Sequence, residues 1–238
     1  MKQNIIAIIC AMDLELDGYK KILSNLSSEV IIGHEFLIGD YLNNKLVITK
    51  CGIGKVNAAA ITLLMIEHYN PDLLINSGIA GGYARCLKTL DVVIAEKVVY
   101  SDVDMTTDAF TNLRYGQLQD FPLTFDSNKQ ILDKVKKLKL NNNIYFGTIM
   151  TGDQFVTDYD KTDNIVSNYF GDLNVLACDM ESCAIAHVCY LTNTRFIIVR
   201  SISDLIGSSD AFDYQTFAPV AASNATQIVN YILKEIEI

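Results

Sequence analysis

The sequence of 238 residues has no tryptophan, only three prolines and three histidines, and only four arginines. Its 28 acidic side chains outnumber the 19 basic ones, which gives a net charge of −9 at neutral pH. Such a chain has little of the basic surface that neutralises nucleic-acid phosphates or anionic lipid headgroups. We therefore expect neither nucleic acid nor a membrane as a partner.

Long hydrophobic runs are also missing. The longest, Ile5 to Met12, has about eight residues, and a membrane helix needs roughly 18 to 20. We expect neither a membrane span nor a signal peptide. The six cysteines are spread along the chain rather than clustered at metal-type spacing, which favours reduced, mostly buried thiols in the cytoplasm.

Apolar, β-branched runs alternate with segments of helical period, and no linker or repeat interrupts them. This alternation predicts an α/β fold in one domain, residues 1–238, with helices covering a mostly parallel sheet. The runs that read as strands are 5–11, 46–50, 73–76, 92–100, 144–150, 174–178 and 196–202.

Helices are expected over 55–69, 181–193 and 128–140, and Pro219 is expected to be the first residue of a C-terminal helix. The dipeptide Asn43-Asn44 between two apolar runs indicates an antiparallel hairpin within 29–51, so the sheet should be mixed. Residues 101–124 show no steady period, and a stretch of that length is more often a functional loop than an accident.

Three carboxylates follow predicted strands, where ligands bind in open α/β sheets: Glu15, Glu181 and Asp204. Burial beside a strand raises the pKa of a carboxyl group and makes it a usable acid or base near neutral pH. Each of the three also stands where a helix could begin, and a carboxylate there stabilises the helix without any catalytic role. The glycine-rich stretch 76–82 would let backbone amides approach a small ligand, or it is only a tight turn.

Other common sites are weakly supported. Gly52-Ile53-Gly54 lacks the third glycine of a dinucleotide fingerprint, and the sequence contains neither a phosphate-binding P-loop nor the Gly-x-Ser-x-Gly motif of serine hydrolases. Cys178, Cys183 and His187 do not form a recognisable metal motif. We expect no metal and no organic cofactor.

Taken together and in order, six strings are more specific than any of them alone. The chain resembles the 5'-methylthioadenosine/S-adenosylhomocysteine nucleosidases along nearly its whole length. The matching strings are CAMDLEL (10–16), CGIGKVNAAA (51–60), PDLLINSGIAGG (71–82), TGDQFV (151–156), DMESCAIAHVC (179–189) and VRSISD (199–204).

This resemblance implies a three-layer α/β/α sandwich around a mixed, mostly parallel twisted sheet. It also implies hydrolysis of the N-glycosidic bond of an adenine nucleoside, with 5'-deoxyadenosine as a further possible substrate. Asp204 would protonate N7 of adenine, Glu15 would activate water, and Glu181 would bind the ribose hydroxyls. The substrate-binding residues implied in the same way are Met12, Ile53, Ala80, Gly81, Phe155, Val156, Met180 and Arg200.

The chain departs from its relatives at Ile79, where many have a serine, at Asp179, where glutamate is usual, and within 101–124. The preference at the 5' end is therefore open. Alternatives are a purine nucleoside phosphorylase of the same fold, a nucleosidase for another adenine nucleoside, and a nucleoside-binding protein without turnover. A homodimer is expected from the high apolar content and from the pocket that relatives share between subunits.

Overall fold

In the computed structural model, the described residues are 3–110, 112–138, 143–208 and 211–235. The strands are β1 (Asn4–Cys10), β2 (Ser24–Ile31), β3 (His34–Tyr41), β4 (Asn44–Lys50), β5 (Leu73–Gly82), β6 (Val92–Tyr100), β7 (Phe125–Asp126), β8 (Ile144–Thr151), β9 (Val175–Asp179) and β10 (Phe196–Leu205). The helices are α1 (Asp13–Lys20), α2 (Lys55–Tyr69), α3 (Lys129–Val135), α4 (Tyr159–Tyr169), α5 (Ser182–Leu191) and α6 (Ala211–Glu235).

The strands form one mixed sheet in the order β10-β6-β8-β9-β5-β1-β4-β3-β2, and β7 pairs with β6. Strand β10 also pairs with β5, so five of the strands close on themselves while β1, β4, β3 and β2 extend outward. Parallel pairs join β1 to β4 and β5, and β5 to β10. The predicted hairpin is confirmed, because β3 and β4 are antiparallel around residues 42–43.

Strand β1 shows why the sheet needs cover on both sides. Ala7 and Ile9 pack in one core with residues of α2 and α5. Ile6 and Ile8, which point the other way because side chains alternate along a strand, pack in a second core with α1, α3 and α6. This arrangement of helices on both faces confirms the predicted α/β fold.

Helix α6 corrects one expectation. It begins at Ala211, and Pro219 lies inside it rather than at its first position. The proline ring removes one backbone hydrogen bond, but the neighbouring turns bury Ala218, Ala221 and Ala222 against Ile79 of β5. Tertiary packing therefore carries the helix through a residue whose local preference is for a helix start.

Two smaller boundaries also differ. Helix α3 begins after Asn128, whose side-chain oxygen accepts a hydrogen bond from the Ile131 amide at 3.1 Å, and it ends at Val135. The last two residues of the predicted segment, 139 and 140, lie outside the described residues. Among the described residues, no helix is long and apolar enough to cross a membrane.

Candidate active site

A pocket opens at the carboxyl ends of β1, β5, β9 and β10, where the sequence placed its carboxylates. It brings together all three of them and seven of the eight other predicted site residues. The lining residues are Ala11, Met12, Glu15, Ile53, Ile79, Ala80, Gly81, Gln154, Phe155, Val156, Cys178, Asp179, Met180, Glu181, Ser203, Asp204 and Tyr214.

Glu15 lies in the first turn of α1 and is almost fully buried. One carboxylate oxygen accepts hydrogen bonds from the amides of Ala11 at 2.7 Å and Met12 at 3.0 Å. The other accepts from the amide of Ile79 at 3.0 Å, which ties α1 to β5. Burial raises the pKa of Glu15, although Arg200 and these amides act in the opposite direction. Glu15 therefore stabilises the helix start and also presents a fixed carboxylate to the pocket.

Glu181 stands immediately before α5 and is also buried. The Gly54 amide donates to Oε1 at 2.9 Å, and an Arg200 nitrogen donates to Oε2 at 3.3 Å. Desolvation is the largest effect on this carboxyl group and raises its pKa to about 7, while Arg200 opposes the shift. The group therefore changes charge near neutral pH.

Arg200 does not line the pocket. It lies beneath it on β10, only 1% exposed, with one guanidinium nitrogen 2.7 Å from Asp179 Oδ2. A second nitrogen lies 3.9 Å from Glu15 Oε1 and donates to the Ile79 carbonyl. We call Glu15, Asp179, Glu181 and Arg200 the floor of the site. Burying a cation among three carboxylates is affordable only because each charge has partners.

Gly78 is needed at the centre of this floor. A Cβ atom at this position would lie 2.3 Å from an Arg200 nitrogen and 2.5 Å from Glu15 Oε1. The glycine-rich stretch of β5 therefore allows a cation and a carboxylate to pack directly against the strand. The tight turn considered from the sequence is wrong, because residues 76–82 lie within β5. The close approach found at Gly78 is that of the Arg200 and Glu15 side chains, and the approach of a ligand to the backbone stays a prediction.

Asp204 lies within β10, not at the start of a helix as the sequence left open. The pairing of β10 with β5 shifts register between Ile202 and Asp204, which marks a bulge next to the pocket. The Ser203 hydroxyl donates to Asp204 Oδ1 at 2.6 Å, and a Cβ at Gly81 would lie 3.4 Å from Oδ2. The bulge therefore turns this carboxylate toward the pocket.

The outer part of the pocket is apolar. We call Met12, Ile53, Phe155 and Tyr214 its rim. Ile53 is 51% and Phe155 58% exposed, whereas the floor is buried. The ring of Tyr214 meets that of Phe155 edge to face at 5.4 Å, and its hydroxyl lies 3.6 Å from Met12 Sδ.

Several lining residues were not predicted from the sequence, of which Tyr214 is the largest. Because the C-terminal helix was expected to begin at Pro219, the turns of α6 before that residue were not considered. The chain carries no motif around Tyr214 that would have identified it. The other lining residues not chosen were Ala11, Ile79, Gln154, Cys178, Asp179 and Ser203.

The weak metal hypothesis gains no support. Among the residues that the structure describes, no group of three or more potential ligands is placed to hold an ion. His187 instead packs its ring on Phe125, and its Nδ1 lies 3.1 Å from the Tyr100 hydroxyl.

Comparison with known proteins identifies the family of this chain. Residues 5–234 match the sequence model of the Phosphorylase superfamily. The 5'-methylthioadenosine/S-adenosylhomocysteine nucleosidase of Psychromonas ingrahamii is 36% identical and aligns over 97% of this chain and 99% of its own length. The Bacillus subtilis nucleosidase of the same name is 35% identical, again over 97% of this chain and 99% of its own.

Solved structures of nucleosidases with the same name have a similar fold. The nucleosidase of Neisseria meningitidis, crystallised in complex with methylthio-immucillin-A, superposes with a TM-score of 0.90 at 30% identity and covers 98% of this chain and 100% of its own. That of Streptococcus pneumoniae, with a transition-state inhibitor, has a TM-score of 0.90 at 34% identity over the same shares. The chain therefore belongs to the Phosphorylase superfamily and, within it, to the 5'-methylthioadenosine/S-adenosylhomocysteine nucleosidases, a family of purine nucleosidases.

Proposed function

We propose that this protein hydrolyses the N-glycosidic bond of 5'-methylthioadenosine and S-adenosylhomocysteine, releasing adenine and a 5-thioribose derivative. The observation that carries the proposal is the convergence of four carboxylates around one pocket with an aromatic rim: Glu15, Asp179, Glu181 and Asp204. An anionic pocket stabilises the cationic, oxocarbenium-like sugar through which such a bond breaks. We include 5'-deoxyadenosine as a further substrate of the same chemistry.

Asp204 is the proposed general acid. It donates a proton to N7 of adenine as the bond between C1' and N9 breaks, so that adenine leaves as a neutral molecule. The Ser203 hydroxyl donates to Oδ1 and holds the carboxyl group, whose Oδ2 lies on the Gly81 side of the pocket. A positioned acid of this kind typically contributes about 10² to 10⁴ in rate.

Glu15 is the proposed general base. It accepts a proton from the water whose oxygen forms the new bond to C1'. Three backbone amides hold its carboxylate, and burial raises its pKa toward the range useful for a base. Glu181 accepts hydrogen bonds from the ribose hydroxyls, and Arg200 keeps both floor glutamates in place from below.

The proposed substrate contacts follow from the lining. Phe155 stacks on adenine and the backbone of Val156 meets its edge, while Ala80 and Gly81 allow the base to approach β5. Met180 packs on the ribose. Met12 and Ile53, which are uncharged and lie toward the opening, contact the 5'-alkylthio group.

A phosphorylase of the same fold is the main alternative. Its phosphate nucleophile needs cationic or amide donors at the nucleophile position, where arginine is the usual choice. No arginine or lysine is among the described residues that line this pocket, and the guanidinium of Arg200 beneath it is paired with carboxylates. Water is therefore the better nucleophile here.

A nucleoside-binding protein without turnover is the second alternative. It would need neither a general acid nor a general base. The pocket is lined by the two carboxyl groups proposed for these roles, Asp204 and Glu15, and by Glu181, which is proposed to bind ribose; this lining supports turnover.

The test is chromatography of the products after incubation with methylthioadenosine, first in phosphate-free buffer and then with phosphate. Free adenine and unphosphorylated methylthioribose in both buffers are expected. A sugar 1-phosphate formed only with phosphate would establish the phosphorylase instead. No product in either buffer would contradict the proposed substrates.

The predicted homodimer also stays a proposal. Val56 and Leu63 leave apolar side chains exposed on α2, and Leu191 does so at the end of α5, which packs beside α2. Such side chains are candidates for a subunit contact. Sedimentation at micromolar concentration should give about twice the 26.5 kDa of one chain, and the monomer mass would contradict it.

The six free thiols support the expected cytoplasmic location.

A further inference from the structure

Helix α2 begins without a side-chain cap of its own. The backbone amides of its N-cap residue, Gly54, and of its first residue, Lys55, donate instead to carboxylates from other parts of the chain. The Gly54 amide donates to Glu181 Oε1 at 2.9 Å, and the Lys55 amide donates to Asp153 Oδ1 at 2.8 Å. Adjacent amides at one helix start therefore hold both the proposed ribose-binding carboxylate and the loop that carries Phe155.

The side chain of Lys55 closes this arrangement into a ring. Its ammonium group lies 2.7 Å from each carboxylate oxygen of Asp102, the second residue of the segment 101–124. Asp102 Oδ2 in turn accepts the Asp153 amide at 2.9 Å. The Lys55 and Asp102 side chains are 22% and 16% exposed, so water and salt screen this pair less than an exposed one.

The backbone around the ring has little freedom to move. Gly54 has φ = +99°, a conformation that favours glycine, and a Cβ there would lie 3.1 Å from Asp153 Oδ1. A Cβ at Gly152 would lie 2.7 Å from Ser101 Oγ. The three segments thus meet at close contact distances, and the ion pair joins them.

We propose that Lys55 is a positioning residue of the active site, which with Asp102 and Asp153 holds the Gly54 amide against Glu181 so that this carboxylate can accept the ribose hydroxyls. This inference rests on the proposed role of Glu181. It also gives a role to Asp102. This residue lies at the start of segment 101–124, which the sequence predicted to be a functional loop.

The pH dependence distinguishes positioning from general structural support. Gly54 and Arg200 favour the charged form of Glu181, whereas the charges of Asp179 and Glu15 disfavour it. The charge of Glu181 in turn raises the pKa of Cys51 and of Tyr214. Loosening the Gly54 amide removes one favourable partner, so the pKa of Glu181 should rise above its value of about 7. The variant should then be impaired near neutral pH and recover in alkali.

The experiment measures kcat/KM for methylthioadenosine from about pH 6 to about pH 9, which reports the ionisation of the free enzyme. For Lys55→Met we expect an acid limb displaced upward by about one pH unit, and hence a loss of about tenfold near pH 6, about fivefold at pH 7 and about twofold or less at the alkaline end. Lys55→Arg, which keeps the charge, should retain most of the activity. The matched control Lys136→Met removes a remote lysine–carboxylate pair, with Glu96, and should leave the profile unchanged.

An equal loss at every pH, or an unchanged profile, would overturn the proposal. If Lys55→Met does not fold by circular dichroism, Asp102→Asn takes its place with the same expected shift. Parent enzyme that releases no adenine contradicts the proposed function rather than this inference. Calorimetric binding of the non-hydrolysable 7-deaza analogue of methylthioadenosine then decides, because Lys55→Met should weaken it more near pH 6 than near pH 9.

Discussion

The floor and the rim of the pocket are built in opposite ways. The floor consists of charged groups that are nearly inaccessible to water, each held by backbone amides or by another charge. The rim consists of uncharged side chains, and Ile53 and Phe155 leave more than half of their surface exposed. The difference indicates that the floor is organised before substrate arrives, while the rim gains its contacts only when a ligand covers it.

From this contrast we expect the floor to stabilise the transition state and the rim to contribute to binding. Fixed charges in a poorly hydrated site stabilise a transition state without reorganising at the moment of reaction. Exposed apolar side chains contribute binding energy as a ligand removes them from water. Changes at the charged groups should therefore appear in kcat, and changes at the rim should appear in KM.

The largest effect is expected for Asp204→Asn. Asp204 is not part of the floor, but its carboxyl group lines the same pocket. An amide cannot transfer a proton to N7, so kcat should fall by about 10² to 10⁴. Affinity for a non-hydrolysable analogue, measured by calorimetry, should change little. Turnover at the parent rate would show that the acid is another group.

Gly78→Ala tests how tightly the floor is packed. The added methyl group would overlap Arg200 and Glu15, neither of which has room to move, and should lower the free energy of unfolding by about 2 kcal/mol. Urea denaturation measures this change. The matched control is Gly171→Ala, where the nearest atom to an added Cβ lies 3.6 Å away. Equal stability of the two variants would show that the floor adapts.

Phe155→Ala tests the rim. Loss of an aromatic surface against a base costs about 1 to 3 kcal/mol, so KM should rise by about tenfold or more with kcat largely kept. Steady-state kinetics gives both constants. Tyr190→Ala, which removes another exposed aromatic ring away from the pocket, should change neither constant. A fall in kcat at constant KM would place Phe155 with the charged groups.

The last comparison concerns the energetic cost of the floor, which leaves activity aside and appears only as a pH dependence of stability. Burial raises the pKa of Glu181 from about 4.5 to about 7, so between these values the unfolded chain loses a proton that the folded chain retains. Stability from this group is complete below about pH 4.5 and is lost as the pH rises through 7. Each pKa unit corresponds to about 1.4 kcal/mol, so Glu181→Gln should reduce this decline by about 3 kcal/mol in urea titrations across that range. An identical decline in parent and variant would contradict the shift.

Much of the fold was predictable because its signals are local. Helix α2 has the predicted bounds, and the hairpin forms with its turn at 42–43, one residue before the predicted dipeptide Asn43-Asn44. The closure of β10 onto β5 was not predictable, since no local pattern specifies which distant strands pair. Pro219 misled for a related reason: its local preference is outweighed by the alanine face that α6 packs on Ile79.

The site divides in the same manner. Glu15, Glu181 and Asp204 could be chosen because each comes directly after an apolar run in the sequence, although the structure extends β10 to include Asp204. Tyr214 could not, because it reaches the pocket from a helix far along the chain. The position of Arg200 beneath the pocket also depends on three segments meeting, which the sequence of β10 alone does not reveal.

The most direct test of the account is the reaction of the parent enzyme with methylthioadenosine in oxygen-18 water containing phosphate. Because we propose that the floor directs water to C1', mass spectrometry should find one heavy oxygen in the methylthioribose and no sugar phosphate. A methylthioribose 1-phosphate without heavy oxygen would contradict it.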